Sequence, residues 1–235
     1  MTADDLPLLV LLPGMDGTGR FFAPLQRALE SRVESQIVPY PAFGPQSYDA
    51  LSEAVLARLP AGRDYVLVAE SFGGPLGVLV AARAERPPRG LILSATFARN
   101  PFPLLGGLLQ FALPLLMDHA PAPALIETAL IRPGDHAFAA ELAQAATAAG
   151  PRLLQARSRS ALTCNVQREL AALTVPILYL QGMHDKLVSP ACGLLMKEIA
   201  RDLRLVQVDA PHFVLQYDCE TTVHNHILPF LHGLS

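Results

Sequence analysis

Tyr65-Val66-Leu67-Val68-Ala69-Glu70-Ser71-Phe72-Gly73-Gly74 decides the reading of this chain. A short apolar, β-branched run ends at a serine, and a helical pattern, Phe72–Ala84, follows at once. A serine in so sharp a strand-to-helix turn adopts a strained backbone, and the residues two before and two after it must be small. Ala69 and Gly73 meet that need, giving G-x-S-x-G with Ala in the first Gly position. Such a turn lifts the hydroxyl above the carboxyl end of a sheet, where open α/β folds bind ligands. A Gly-rich turn with a capping serine, or a phosphate loop, are the competing readings. No Gly-Lys-Ser/Thr follows to support the second.

Outward from this turn, strand-like runs alternate with helical patterns, which predicts a mostly parallel α/β sheet with helices on both faces. The expected strands are Leu6–Leu12, Glu34–Tyr40, Tyr65–Ala69, Gly90–Ser94, Val175–Gln181 and Leu205–Asp209, about six in all. Helices are expected over Phe21–Ser31, Tyr48–Leu59 (capped by Ser47), Pro190–Arg201 and Thr221–Leu231. Between Ala95 and Leu173 the strand rhythm stops. Helical stretches Leu104–Met117, Pro123–Leu130, His136–Ala149 and Arg152–Thr163 read as an α-helical insertion of about 70 residues, longer than an ordinary loop. The organisation expected is a core of residues 1–94 and 174–235 with a helical lid over 95–173.

Composition bounds the function. The 235 residues are 51% hydrophobic and 17% charged, which is a packed globular composition. The net charge of −3 and scattered Lys and Arg argue against a nucleic-acid partner. Cys164, Cys192 and Cys219 lack metal-like spacing and read as free thiols in a reducing compartment. The acidic start Met1–Asp5 does not look like a signal peptide, and Pro103–Met117 is short for a bilayer span, so a cytoplasmic location without a transmembrane segment is expected.

Other strand ends carry the remaining polar groups. The first strand ends in Pro13-Gly14-Met15-Asp16-Gly17-Thr18-Gly19. Acyl transfer needs two N–H groups aimed at a developing oxyanion. Phe72, after the serine, and Met15, after Gly14, are the candidates, with Asp16 second. A dinucleotide-binding turn is disfavoured because the order is G-x-x-G-x-G and the second strand ends in Pro39-Tyr40-Pro41 without a ribose-binding acid. Of the seven histidines, only His212 follows the last strand; His184, His224 and His226 compete on composition alone. Asp185, after the fifth strand, can accept Nδ1–H from His212, with Asp209 as the rival acid. Glu70 is either exposed beside the serine or structural.

The Pro13-Gly14 loop, the Ser71 turn, Gly182-Met183-His184-Asp185 and Pro211-His212 together resemble the α/β-hydrolase superfamily along nearly the whole chain. Ala69 at the elbow, Pro13 where many members have His, and the missing first antiparallel strands depart from it. Within the superfamily, Leu12–Gly19 with Glu70–Gly74 is similar to lipid acyltransferases of the phytyl ester synthase type, and the compact size to small carboxylesterases acting on carrier-bound methyl esters. The resemblance implies a serine hydrolase in which Ser71 attacks an ester or thioester carbonyl, His212 is the base and Asp185 orients it. It implies no metal or organic cofactor. Apolar lid residues, Phe111 and Leu115 among them, with Gly14 and Asp16, are expected to contact a small-molecule or carrier-linked acyl ester. Acyl transfer to an alcohol or thiol, and ligand binding without turnover, are the alternatives.

Overall fold

A computed structural model describes residues 6–30, 32–102 and 123–234. Its centre is a six-stranded sheet in the order β2-β1-β3-β4-β5-β6, every neighbouring pair parallel. The strands are β1 (Leu8–Leu12), β2 (Ser35–Ile37), β3 (Tyr65–Glu70), β4 (Gly90–Ser94), β5 (Ile177–Gly182) and β6 (Leu203–Val208). The four central strands are buried along their whole length, which is why their sequences run apolar without alternation. Parallel neighbours need crossovers, and the intervening helices supply them on both faces.

One face carries α2 (Tyr48–Leu56), α3 (Gly73–Arg83) and, after β5, α8 (Pro190–Ile199). Here Leu8, Val10 and Leu12 of β1 pack with Leu67 and Ala69 of β3 and Leu76 and Val80 of α3. The opposite face takes Leu9, Leu11, Val66 and Val68, and is covered by α1 (Ala23–Leu29) and the C-terminal helical segment. That alternation is the two-residue period of a strand read on both sides. Between β4 and β5 lie α4 (Pro123–Leu130), α5 (His136–Ala149), α6 (Pro151–Leu162) and α7 (Gln167–Ala172). Ile126, Ala139, Leu142 and Ala145 of these helices share a separate buried cluster with Phe21. Ala161, Cys164, Val166, Leu170 and Leu173 instead join the main core.

Several elements are shorter than the sequence patterns suggest. The second strand stops at Ile37 rather than Tyr40; Val38 still donates to the Leu11 carbonyl, but Pro39 and Pro41 have no N–H with which to extend the ladder. The second helix ends at Leu56, and Ser47 caps its start by accepting from the Ala50 amide at 3.3 Å. The C-terminal helix is broken into Cys219–Thr222, a wide π turn Val223–Ile227 and Leu228–His232. Pro229 lacks the N–H that an unbroken helix would direct at Asn225, so the turn before it opens. Helix α7 had no clear sequence signal. The expected Leu104–Met117 helix lies outside the described residues.

Strand order changes direction between β1 and β3: the chain leaves β1 for β2 on one side, then returns to β3 on the other. Leu12 and Ala69 stand opposite each other at the carboxyl ends of the two strands. The loop after β1 and the turn at Ser71 are thus brought together at a topological switch point, the usual place for a ligand in such a sheet. Small residues make the approach possible. A Cβ on Gly73 would lie 2.6 Å from the Pro13 carbonyl oxygen and 2.8 Å from that of Leu12. Gly73→Ala should therefore destabilise the protein by about 1–3 kcal/mol, the usual cost of overpacking against backbone. A chemical-denaturation midpoint unchanged from wild type would contradict this.

Candidate active site

Ser71 has φ = 52°, a left-handed conformation that non-glycine residues seldom adopt. Three bonds hold it there: its N–H donates to the Ser94 carbonyl at 2.9 Å, its C=O accepts from the Gly74 amide at 3.0 Å, and the Thr96 hydroxyl donates to the same oxygen at 2.5 Å. The result is a hydroxyl raised above the sheet, at the N-terminal end of α3.

His212 meets it there. His212 Nε2 is 2.9 Å from Ser71 Oγ, and Nδ1 is 2.8 Å from Asp185 Oδ2. Asp185 is fixed by its other oxygen, which accepts the Leu187 and Val188 amides at 2.8 and 2.9 Å. Both the imidazole and the carboxylate are almost fully buried. The two loops are joined by continuation of the β5–β6 ladder: the Met183 amide donates to the Val208 carbonyl, and the His184 amide to that of Ala210. Gly182 allows this, because a Cβ there would lie 2.8 Å from the Ala210 oxygen and closer still to that of Pro211. An ionised carboxylate only accepts, so the proton on His212 belongs on Nδ1 and the lone pair on Nε2 faces the serine hydroxyl.

The rival assignments sit elsewhere. Asp209 Oδ1 is 2.8 Å from His184 Nε2, and that pair is exposed. His136 pairs with Glu127 on the surface. His119 is outside the described residues, as are Phe111 and Leu115.

Met15 and Phe72 each present a backbone N–H with no hydrogen-bond partner among the described residues. Their directions are set by the carbonyl on the other side of each peptide, because a trans peptide points N–H and C=O oppositely. The Gly14 carbonyl accepts from Gly17 at 3.1 Å, and that of Ser71 is turned toward Thr96 and Gly74. Gly14 itself lies close enough that a Cβ would be in ordinary contact with Ser71 Cβ at 3.8 Å. Asp16 turns its carboxylate back onto the Thr18 amide and hydroxyl.

Ser71, His212, Gly14, Met15 and Asp16 line one end of a cleft of about 220 Å³. Its remaining walls are mainly apolar: Phe21 and Phe22 from the core, Leu130, Leu142 and Leu154 from the helices between β4 and β5, and Phe213 beside His212. Phe21, Phe138 and Phe213 meet edge to face, with ring centroids 5.2–5.8 Å apart. These wall residues were not legible in sequence, since nothing local distinguishes them from other core residues.

The matched family model, described as the alpha/beta hydrolase family, spans residues 9–224. This chain belongs to the alpha/beta hydrolase family. Among curated proteins, this family member is 37% identical over 112 residues to phytyl ester synthase 1, chloroplastic, of Arabidopsis thaliana; the match takes in 43% of the chain but only 16% of that much longer protein. Among solved structures it resembles an enol-lactonase from Burkholderia xenovorans (19% identity, TM-score 0.77, 97% of this chain and 92% of that one). It also resembles a thermophilic esterase from Thermogutta terrifontis (21% identity, TM-score 0.77, 97% and 90%). At these identities the likeness to the two structures is one of fold. Among the described residues of this hydrolase-family chain, no helix is long and apolar enough to cross a membrane.

Glu70 is not the exposed neighbour of the serine that its sequence position allows. It is 3% exposed, because its place on β3 turns it into the face covered by α1 and the C-terminal segment. Oε2 accepts from Gln216 Nε2 at 3.2 Å, whereas Oε1 has no partner among the described residues. Burial pushes its pKa up to about 8, the Gln216 hydrogen bond opposing and nearby Asp16 assisting. The folded protein therefore holds this proton more tightly than the unfolded chain does. The associated stability is complete below about pH 4.5 and is lost as pH rises toward about 8. Glu70→Gln should remove that loss, so the variant gains on wild type across this window, by at most about 1.4 kcal/mol for each pH step of one. Parallel pH profiles of unfolding free energy for the two proteins would contradict the burial argument.

Proposed function

We propose that the protein is a serine hydrolase that cleaves a carboxylic ester or thioester with an apolar acyl group through an acyl-Ser71 intermediate. The observation that carries this reading is the unbroken chain Ser71 Oγ, His212, Asp185 at the polar end of an apolar cleft. His212 Nε2 removes the hydroxyl proton as Ser71 Oγ attacks the acyl carbon. Asp185 keeps the imidazole in the required tautomer and stabilises the imidazolium formed. The Met15 and Phe72 amides receive the oxyanion, which in a water-poor site is worth far more than in solvent. His212 then protonates the leaving group, and water repeats the sequence in reverse roles to release the acid.

The apolar walls favour a hydrocarbon acyl chain over a charged one. Transfer of the acyl group to an alcohol in place of water is the second reading, supported by the partial likeness to phytyl ester synthase 1. Both share the acyl-enzyme, so product analysis with and without a long-chain alcohol separates them.

Ser71→Ala should abolish p-nitrophenyl ester hydrolysis and fluorophosphonate labelling while leaving the thermal midpoint near wild type. Asp185→Asn should lower kcat by about 10³–10⁴-fold through the wrong histidine tautomer, and Asp209→Asn by less than about twofold, since its partner is His184. Wild-type protein that neither turns over p-nitrophenyl butyrate nor labels at Ser71 would instead mark a ligand-binding member of the fold. A large loss in Asp209→Asn alone would overturn the choice of acid.

A further inference from the structure

Arg157, on helix α6, is 1% exposed, yet its hydrogen-bond partners among the described residues are neutral oxygens rather than carboxylates. Nη1 donates to the Met15 carbonyl at 2.7 Å, Nε to Gln46 Oε1 at 2.9 Å and Nη2 to the Pro41 carbonyl at 3.2 Å. The guanidinium also lies 5.6 Å from the Tyr40 ring centroid. Desolvating a charge is costly, so a buried guanidinium is informative about what its donors hold in place.

What they hold is the turn Gly14-Met15-Asp16-Gly17. The Gly14–Gly17 bond closes this turn, and Arg157 binds its central peptide. Tyr40 secures the flanks, its hydroxyl donating to the Pro13 carbonyl at 2.8 Å and its amide to that of Gly17 at 2.8 Å. Gly17 has φ = 71°, and a Cβ there would come within 2.8 Å of Arg157 Cζ, so the guanidinium fills the space that the glycine leaves. Ser158, the next residue on the helix, touches the same loop through its hydroxyl, 3.6 Å from Met15 Sδ.

We propose that Arg157 is a positioning residue for the oxyanion site: by tethering the Met15 carbonyl, a side chain from the helices between β4 and β5 fixes the Met15–Asp16 peptide and so locks the turn whose adjoining Gly14–Met15 peptide carries the Met15 N–H. The inference rests on the acyl-transfer reading above. Without the guanidinium, the Met15 carbonyl loses that partner, the Met15–Asp16 peptide is free to rotate, and the turn holds the neighbouring Gly14–Met15 peptide less firmly. The transition state meets a less well aimed donor; the ground-state acyl chain, bound by the apolar walls, loses little. The signature is a fall in kcat at nearly constant KM.

Arg157→Met keeps the length and apolar stem and removes the fork; Arg157→Lys keeps the charge but not the planar set of donors. The measurements are kcat and KM with p-nitrophenyl butyrate, the rate of fluorophosphonate labelling of Ser71, and inhibition by an alkyl trifluoromethyl ketone, which binds as an oxyanion. For Arg157→Met the expected outcome is a fall in kcat of about 10–100-fold, less than the roughly 10²–10³-fold cost of losing an oxyanion donor outright, because the donor is loosened rather than removed. KM should stay within about threefold, and ketone affinity should weaken in step with kcat. Arg157→Lys should fall between it and wild type. Wild-type kcat and ketone affinity in Arg157→Met, or a loss confined to KM, overturns the proposal. Should Arg157→Met not fold, the same two results in Arg157→Lys overturn it. Failure of wild-type Ser71 to label or turn over substrate overturns the acyl-transfer reading instead, a different result from active wild type with indifferent Arg157 variants.

Discussion

The backbone of Ser71 is the constraint around which the rest is arranged. A left-handed serine is disfavoured by about 1–3 kcal/mol and persists only where its surroundings over-determine it. Here they do. Ser94 and Thr96, at and just beyond the end of β4, bind the N–H and C=O of the same residue, and Gly74 closes the turn. Gly74 has no room for a side chain, because Thr96 occupies the space where its Cβ would stand. Ala69 is equally constrained: a Cβ on Gly77 would already lie 2.8 Å from that of Ala69, so α3 sits on β3 at the closest distance a methyl group permits. The strained conformation is thus a product of β3, β4 and α3 together.

From that fixed hydroxyl the geometry propagates along the sheet. The switch between β1 and β3 brings the Pro13–Gly17 loop beside it, and the continued pairing of β5 and β6 carries Asp185 and His212 to it. Each polar group is held by partners that leave its reactive side free. Asp185 commits one oxygen to two backbone amides and keeps the other for His212; the Gly14 and Ser71 carbonyls are occupied, and the amides behind them have no partner among the described residues. A site assembled from already-satisfied dipoles needs little reorganisation when charge develops, which is the source of electrostatic rate enhancement.

The helices between β4 and β5 contribute in two distinct ways. Through Leu130, Leu142 and Leu154 they wall the cleft, and through the contact of Phe138 with Phe21 and Phe213 they are packed onto the core next to His212. Through Arg157, which is outside the lining of the cleft, they also reach the Met15 carbonyl of the β1 loop. Apolar walls lower the local dielectric and so strengthen every dipole at the polar end. The raised pKa of Glu70 has a related cause, its own burial beneath α1 and the C-terminal segment.

Residue order alone was enough for the layered α/β arrangement, the six strands within a few residues and the candidates Ser71, His212, Asp185, Met15 and Phe72. Strand periodicity, the small residues around Ser71 and the strand-end positions are local signals, and local signals survive in one dimension. The end of β2 and the break within the C-terminal helix lie where prolines remove a donor, and that loss depends on what the donor would have paired with. Folding in three dimensions was needed to pair Asp209 with His184, to turn Glu70 inward, to gather Phe21, Leu142 and Phe213 into one cleft and to set Arg157 against Met15. Those outcomes depend on contacts between residues far apart in the chain, such as Phe21 and Phe213, and no periodicity along the chain encodes which distant side chains will meet.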